Sequence, residues 1–398
     1  MIKPKVKYEL EVSFGTIYGT EEATALGEVL KNMAPSCGKM VKQFEDEFAH
    51  YCGVRSALAV TNATSGLTLG GIAAGIKPGD EVITTPITWV STAMAFSALG
   101  ARMVFCDVDA RTLNLDPRKL EEKITPRTKA IVPVHLYGQC CEMDAIMQVA
   151  EKHNLTVIED CAHNPGGEYN GKKSGALGHI GVFSFHQQKN MSTLGEGGMV
   201  TTRSKESYER VLSYRSLCCR SYDPKGKYLA IDEEKYPMND EYWRVYFDDV
   251  GYNFRMTDAQ GAVGLEQLKK LDGFNARRIE IANHLTEKLQ GIRGLTLPFV
   301  DPRGKHVFHL YVIQLEPEFP VSKREFMWTL YSEMGIKPWS NYTPVHLTDP
   351  YRREGHQEGE CPVAEAAFKK NVSLPIHPRL TDEAVDYMAD SIRKLSQS

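Results

Sequence analysis

Lys189 stands between an apolar run, Ile180-Gly-Val-Phe-Ser-Phe185, and a glycine-rich turn, Gly195-Glu-Gly-Gly198. About one βαβ unit upstream, Asp160 follows a second apolar run in Val157-Ile-Glu-Asp160. A lysine amine can condense with an aldehyde to a Schiff base, and a strand-end carboxylate can keep a pyridine nitrogen protonated. Those are the two protein groups that pyridoxal phosphate requires, the protonated ring then serving as an electron sink. Lys189 and Asp160 are therefore the candidate catalytic pair. Asp160 by itself reads equally well as a helix cap, whereas a merely solvated lysine more often sits beside other charges than between a strand and glycines.

Other residues could complete such a site. A phosphate needs backbone N–H groups, hydroxyls and a helix N-terminus, and Thr61-Asn-Ala-Thr-Ser-Gly66 offers them at a strand-to-helix junction. The same residues also make an ordinary N-cap. Trp89, after another strand end, could stack on a pyridine ring or fill the core. His163, three residues past Asp160, could face a ring hydroxyl or close a turn.

These residues must be delivered by strands. Apolar runs at 57–60, 81–84, 103–105, 130–134, 156–158, 182–185 and 199–201 read as strands, and helical periodicity appears at 64–74, 91–98, 117–123 and 143–153. Such alternation predicts an α/β architecture with a mostly parallel sheet that binds ligands beyond its carboxyl ends. Met40, Phe44 and Phe48, with Val41 and Tyr51, form a helical stripe that reads as packing. Residues 215–249 are polar and aromatic without periodicity, the mark of a functional loop. A helical region from 257 to about 290, broken near Asp272-Gly273, then a strand at 309–315 and helices at 322–334 and 381–395, predict a smaller α+β domain. The expected division is 1–255 and 256–398.

With 398 residues, two lobes are expected. Composition narrows the class further. A net charge of −4 without a basic block argues against nucleic-acid binding, and no stretch approaches the roughly 18 apolar residues of a membrane span. The first residues lack the apolar region of a secretory signal, so a cytoplasmic protein is expected. Nine cysteines, an odd number without C-x-x-C spacing, read as reduced thiols rather than disulfides or a zinc site, and no metal is expected. The G-x-G-x-x-G, P-loop, H-E-x-x-H and G-x-S-x-G motifs are all missing.

The combination resembles the DegT/StrS family of sugar aminotransferases, which have the PLP-dependent transferase fold type I. It does so over nearly the whole chain. The matching stretches include Gln43-Phe-Glu-Asp-Glu-Phe48, Pro78-Gly-Asp-Glu-Val-Ile83, Val134-His-Leu-Tyr-Gly138, Phe183-Ser-Phe-His186, Gly195-Glu-Gly-Gly198, Gly251-Tyr-Asn-Phe-Arg255 and Ser373-Leu-Pro-Ile-His377. The resemblance implies that Lys189 is the Schiff-base lysine and general acid/base, Asp160 the pyridinium partner, and His163 the residue facing the ring hydroxyl. It further implies that Ala63, Thr64 and Ser184 hold the phosphate and that Trp89 covers the ring. Asn253 would reach the phosphate from the other subunit of a homodimer with shared sites, and His186, Arg255 and His346 would contact substrate.

The implied reaction moves an amino group from L-glutamate to a carbonyl of a carbohydrate, in amino-sugar biosynthesis for a surface polysaccharide or a secondary metabolite. A nucleotide-linked keto sugar leads as acceptor. The cations Arg215, Arg220, Lys225, Lys227 and Arg244 leave open a non-nucleotide acceptor such as 8-oxo-3-deoxy-octulosonate, whose amination serves lipopolysaccharide, or an inosose. A sugar dehydratase of the family would have histidine in place of Lys189. A non-catalytic regulator would more often have lost Lys189 or Asp160.

Overall fold

The computed structural model describes residues 9–12, 14–32, 36–224, 226–236 and 243–397. Seven short segments rich in apolar and β-branched residues form its main sheet: Ser56–Val60 (β1), Glu81–Thr84 (β2), Arg102–Phe105 (β3), Thr128–Val132 (β4), Thr156–Asp160 (β5), Ile180–Ser184 (β6) and Gly198–Thr202 (β7). Their order is β1-β7-β6-β5-β4-β2-β3. Only β7 runs against its neighbours, while the pairs β2–β3, β2–β4, β4–β5 and β5–β6 are parallel. The mostly parallel sheet inferred from the sequence is thus present, and its carboxyl edge collects the residues following β1, β2, β5 and β6.

Helix Ala63–Ala73 lies directly on this sheet because two of its turns carry no side chain. A Cβ at Gly66 would sit 2.7 Å from Val182 Cγ1, and one at Gly70 would sit 3.4 Å from Ile158 Cγ2. On the other face, helix Lys39–Cys52 buries Phe44 and Phe48 against Phe183 and Phe185, with ring centroids 4.9–5.9 Å apart. The stripe is packing, as its spacing suggested.

Two expectations about helices change. Residues 117–123 form two short 3₁₀ turns, Pro117–Lys119 and Glu121–Lys123. A seven-residue stretch cannot recover the cost of nucleating an α-helix, and the Asp116 side chain, accepting from Arg118 N–H, caps the tighter turn instead. Helix Asp258–Leu289 runs unbroken through Asp272-Gly273. One interior glycine costs only about 1 kcal/mol, less than the burial of Leu265, Leu268, Leu271 and Ile281 along the same helix recovers.

That helix joins two cores. Leu265, Leu268 and Leu271 pack with the Phe44/Phe48 cluster, whereas Ile281, Ala282, Leu285 and Leu289 pack with the C-terminal residues Phe326, Leu330, Val385, Met388 and Ile392. The second core is closed by a three-stranded sheet of Leu295–Thr296, Tyr311–Leu315 and Asn371–Leu374. The N-terminal segment links it back to the main sheet: Leu10 bridges to Ile336, and Gly15 N–H donates to Gln187 O at 2.8 Å.

The polar stretch at 215–249 is not simply a loop. Its described part contains a small sheet of Cys219–Ser221, Leu229–Ala230 and Tyr246–Phe247. All nine cysteines are buried, free thiols, and no helix among the described residues is long and apolar enough to cross a membrane.

Candidate active site

Asp160, the last residue of β5, is buried at the carboxyl edge of the sheet. Thr92 Oγ1 donates to its Oδ2 at 2.7 Å and Ala162 N–H donates to its Oδ1 at 3.0 Å. Thr92 in turn shares a 2.7 Å hydrogen bond with Thr88. Burial raises the carboxyl pKa, and the two donors and the nearby Lys189 amine oppose that rise. Lys189 lies after β6, in the turn closed by Lys189 N–H donating to His186 O. Its ammonium is enclosed enough that burial lowers its pKa to about 8, with Asp160 pulling the other way. No described residue hydrogen-bonds to Lys189 Nζ. A buried amine whose ammonium form is disfavoured, with a buried carboxylate nearby, suits both condensation with an aldehyde and proton transfer.

The phosphate candidates sit where the sequence suggested. Asn62 caps helix Ala63–Ala73 by accepting from Ser65 N–H at 2.9 Å, which leaves the first-turn N–H groups of Ala63 and Thr64 without an intrahelical acceptor. The N-cap reading of this segment is present, and the helix start beside it has the N–H groups that a phosphate would need. Gly198 makes the loop possible, since a Cβ there would lie 2.7 Å from Asn62 C and 2.9 Å from Ala63 N. Ser184, at the end of β6, is buried beside it. Trp89 is 61% exposed at the mouth, its ring 6.2 Å from that of Tyr342, so it belongs to the opening and not to the core.

His163 is buried and engaged on both sides. Tyr137 N–H donates to Nδ1 at a long 3.4 Å, and Nε2 lies 3.2 Å from the Tyr342 hydroxyl. Burial, reinforced by Lys189, holds its pKa well below the usual histidine value. His186 is half-buried, its Nδ1 accepting from Gln188 N–H at 3.3 Å. Asn253 is exposed, its backbone bridged to Ser216, and Arg255 is bridged to Val60 with its guanidinium 5.9 Å from the Tyr228 ring.

His346 is a correction. The resemblance implied substrate contact, yet its side chain is fully buried, 3.0 Å from Glu365 and beside the Phe105 ring. Glu365 also accepts from Gly359 and Cys361 N–H, so the pair fastens the 359–365 turn within the core. Two of the cations in the polar stretch are spent on internal ion pairs. Arg215 is buried and paired with Glu45 at 2.5 Å, Arg220 pairs with Asp248 at 2.5 Å, and Lys235 pairs with the same carboxylate. Lys225 lies outside the described residues.

Sequence reasoning missed Thr92, Tyr137, Tyr342 and His309. Thr92 stands one helical turn past Thr88, a spacing that places both hydroxyls on one side; the others come from distant segments and carry no local signal. A buried group of His135, Glu159 and Cys161 has metal-ligand chemistry. The Glu159 oxygens, however, already face His135 Nε2 and the N–H groups of Gly175, Leu177 and Gly178, which makes it a brace for β5.

Residues 17–393 match the DegT/DnrJ/EryC1/StrS aminotransferase family. The chain belongs to that family. It is 40% identical over 95% of both chains to the spore coat polysaccharide biosynthesis protein SpsC of Bacillus subtilis, and 40% identical over 88% of both to a GDP-perosamine synthase of Caulobacter vibrioides. The crystal structure of DesV from S. venezuelae superposes with a TM-score of 0.85 at 32% identity, covering 95% of each chain. The protein is accordingly a pyridoxal phosphate-dependent sugar aminotransferase with the α/β fold of those enzymes.

Proposed function

We propose that the site around Lys189 and Asp160 transfers an amino group from L-glutamate to a nucleotide-linked keto sugar. The observation that carries this reading is the enclosed Lys189 amine, unbonded to any described residue, facing the buried Asp160 carboxylate. The residues fit the cofactor: a carboxylate for the ring nitrogen, a free amine for the aldehyde and unpaired N–H groups at a helix start for the phosphate. Pyridoxal phosphate supplies, when bound, a carbonyl that carries the amino group and a conjugated ring that accepts the electrons released from the donor's Cα–H bond.

The chain's own groups supply the rest. Lys189 holds the cofactor and then, with its pKa lowered to about 8, takes and returns the proton at the reacting carbon. Asp160, oriented by Thr92, keeps the ring nitrogen protonated. Ala63 and Thr64 N–H groups and Ser184 Oγ bind phosphate, Trp89 covers the ring, and His163 faces the hydroxyl edge. His186 and Arg255 stand at the mouth for substrate. The GDP-linked product named for the Caulobacter relative supports a nucleotide-linked acceptor. The pairing of Arg215 and Arg220 with carboxylates leaves less reason for a sugar acid.

The enzyme works as a cytoplasmic homodimer in which Asn253 of each chain completes the other's phosphate site. Exposed Trp243, Phe247, Val250 and Tyr252, on the same stretch as Asn253, support a covered face there. The chain divides at 255/256, with helix Asp258–Leu289 connecting the halves. Borohydride reduction should fix the cofactor to the Lys189 peptide in wild-type protein and leave it unlinked in Lys189→Ala. Label on another lysine would overturn the assignment. Mass spectrometry of a panel of keto sugars incubated with glutamate identifies the acceptor.

A further inference from the structure

Four unusual features converge on one imidazole, that of His309. Phe308 has φ +42, and Tyr137, directly across from it, has φ +60, both in the left-handed region that non-glycine residues avoid. Gly138, at φ +109, lets the two segments meet, since a Cβ there would lie 2.8 Å from Phe308 N and 2.9 Å from His309 N. Val307 N–H donates to Gly138 O and Leu310 N–H to Tyr137 O, locking the approach. Behind it sits Arg278, fully buried and without a carboxylate. Its guanidinium is spent on backbone carbonyls: Phe308 O at 3.0 Å, Ile376 O at 3.1 Å, His309 O at 3.4 Å and Gly15 O at 2.7 Å.

Backbone strain and an uncompensated buried cation persist only where the surroundings over-determine them. Here their joint product is the position of His309. Its ring is buried, 4.4 Å from the ring of His163 and tilted 33° to it. Nδ1 is enclosed without a partner, and no hydrogen bond joins either ring nitrogen to a described residue. What the geometry retains is a flat ring face against His163.

We infer that His309 is a positioning residue of the amino-transfer site, whose ring face holds His163 with Nε2 toward Tyr342. This rests on the proposed reading of the site, in which His163 faces the cofactor's hydroxyl edge. The line Arg278, Phe308, His309, His163 then makes the orientation of a cofactor-facing residue depend on both halves of the chain and on the N-terminal segment. Lys189 lies close enough for its charge to add to the burial that keeps His309 unprotonated, so the contact is between two neutral rings.

Two volume-filling variants separate a ring-face role from mere filling. His309→Phe keeps a flat ring without nitrogens; His309→Leu keeps apolar volume without a flat ring. Cofactor affinity is measured by titrating pyridoxal phosphate into apoprotein, and the glutamate half-reaction by single-turnover absorbance. Thermal unfolding of each apoprotein reports folding. His309→Leu should weaken cofactor binding and slow the maximal half-reaction rate by about tenfold each, with the apparent glutamate KM within about twofold of wild type. His309→Phe should stay within about threefold of wild type in all three. Nitrogen-15 spectra of the apoprotein should show the His163 ring signal displaced in His309→Leu and restored in His309→Phe.

A His309→Leu protein matching wild type overturns the inference, as does a His309→Phe protein as impaired as His309→Leu, because the nitrogens would then be acting. Should His309→Leu fail to fold, the comparison of His309→Phe with wild type and the His163 signal still decides. Borohydride attachment to Lys189 in wild type is checked first. Its failure sinks the reading of the site; attachment with unaffected His309 variants sinks only the positioning role.

Discussion

At the scale of single residues, the site works by burying charges that answer one another incompletely. Lys189 is held below its ordinary pKa, so protonation of the folded protein is opposed. The sign follows from linkage: between about 8 and 10.5 the unfolded chain binds more protons at this position than the folded one, so stability rises with pH there. The penalty is fully present below pH 8 and gone above 10.5. Apoprotein carrying Lys189→Met should therefore be more stable than wild type near pH 7, by at most about 3 kcal/mol, with the gap closing toward pH 10. Urea unfolding at several pH values measures it, and a gap that widens with pH would contradict the burial account. Asp160→Asn should fold yet slow the glutamate half-reaction on the order of a thousandfold, about 4 kcal/mol at the transition state. Turnover close to wild type would remove Asp160 from its role.

At the scale of elements, helix Ala63–Ala73 is aimed by its glycines. Gly66 and Gly70 let it rest on Val182, Val200, Ile158 and Ile180, and its N-terminus then points over the strand ends. A methyl at Gly66 would force the helix outward against a stiff valine, because Val182 has little rotamer freedom to yield. Gly66→Ala should weaken pyridoxal phosphate binding about tenfold while lowering the melting temperature by only a few degrees. Cofactor titration and a thermal scan test it together. Unchanged affinity would mean that the helix start does not contact the phosphate.

At the scale of the whole molecule, the proposed homodimer makes the two sites reciprocal, each completed by Asn253 of the other chain. Asn253→Asp chains and Lys189→Ala chains should each be inactive, the first because a carboxylate would repel phosphate. Mixed under conditions that exchange subunits, they should regain activity, since one site of each heterodimer has both native residues. Recovery would approach about a quarter of wild type for random pairing with one intact site in half of the dimers. Exchange without recovery, or an active monomer in sedimentation, would exclude shared sites.

The sequence by itself determined the alternating α/β order, the strand-end placement of Asp160 and Lys189, the capped start at Asn62 and the Phe44/Phe48 packing stripe. Each depends on periodicity or on residues adjacent in the chain, where local rules act. Only the tertiary structure decided that Thr92 orients Asp160, that Glu45 neutralises Arg215, that His346 belongs to the core beside Glu365 and that His309 lies against His163. The last joins residues 146 positions apart through a glycine contact, a buried arginine and two strained backbones. Burial and partner choice are properties of packed surfaces, and two histidines with the same side chain acquire different work because one is closed in by a carboxylate and the other by a ring.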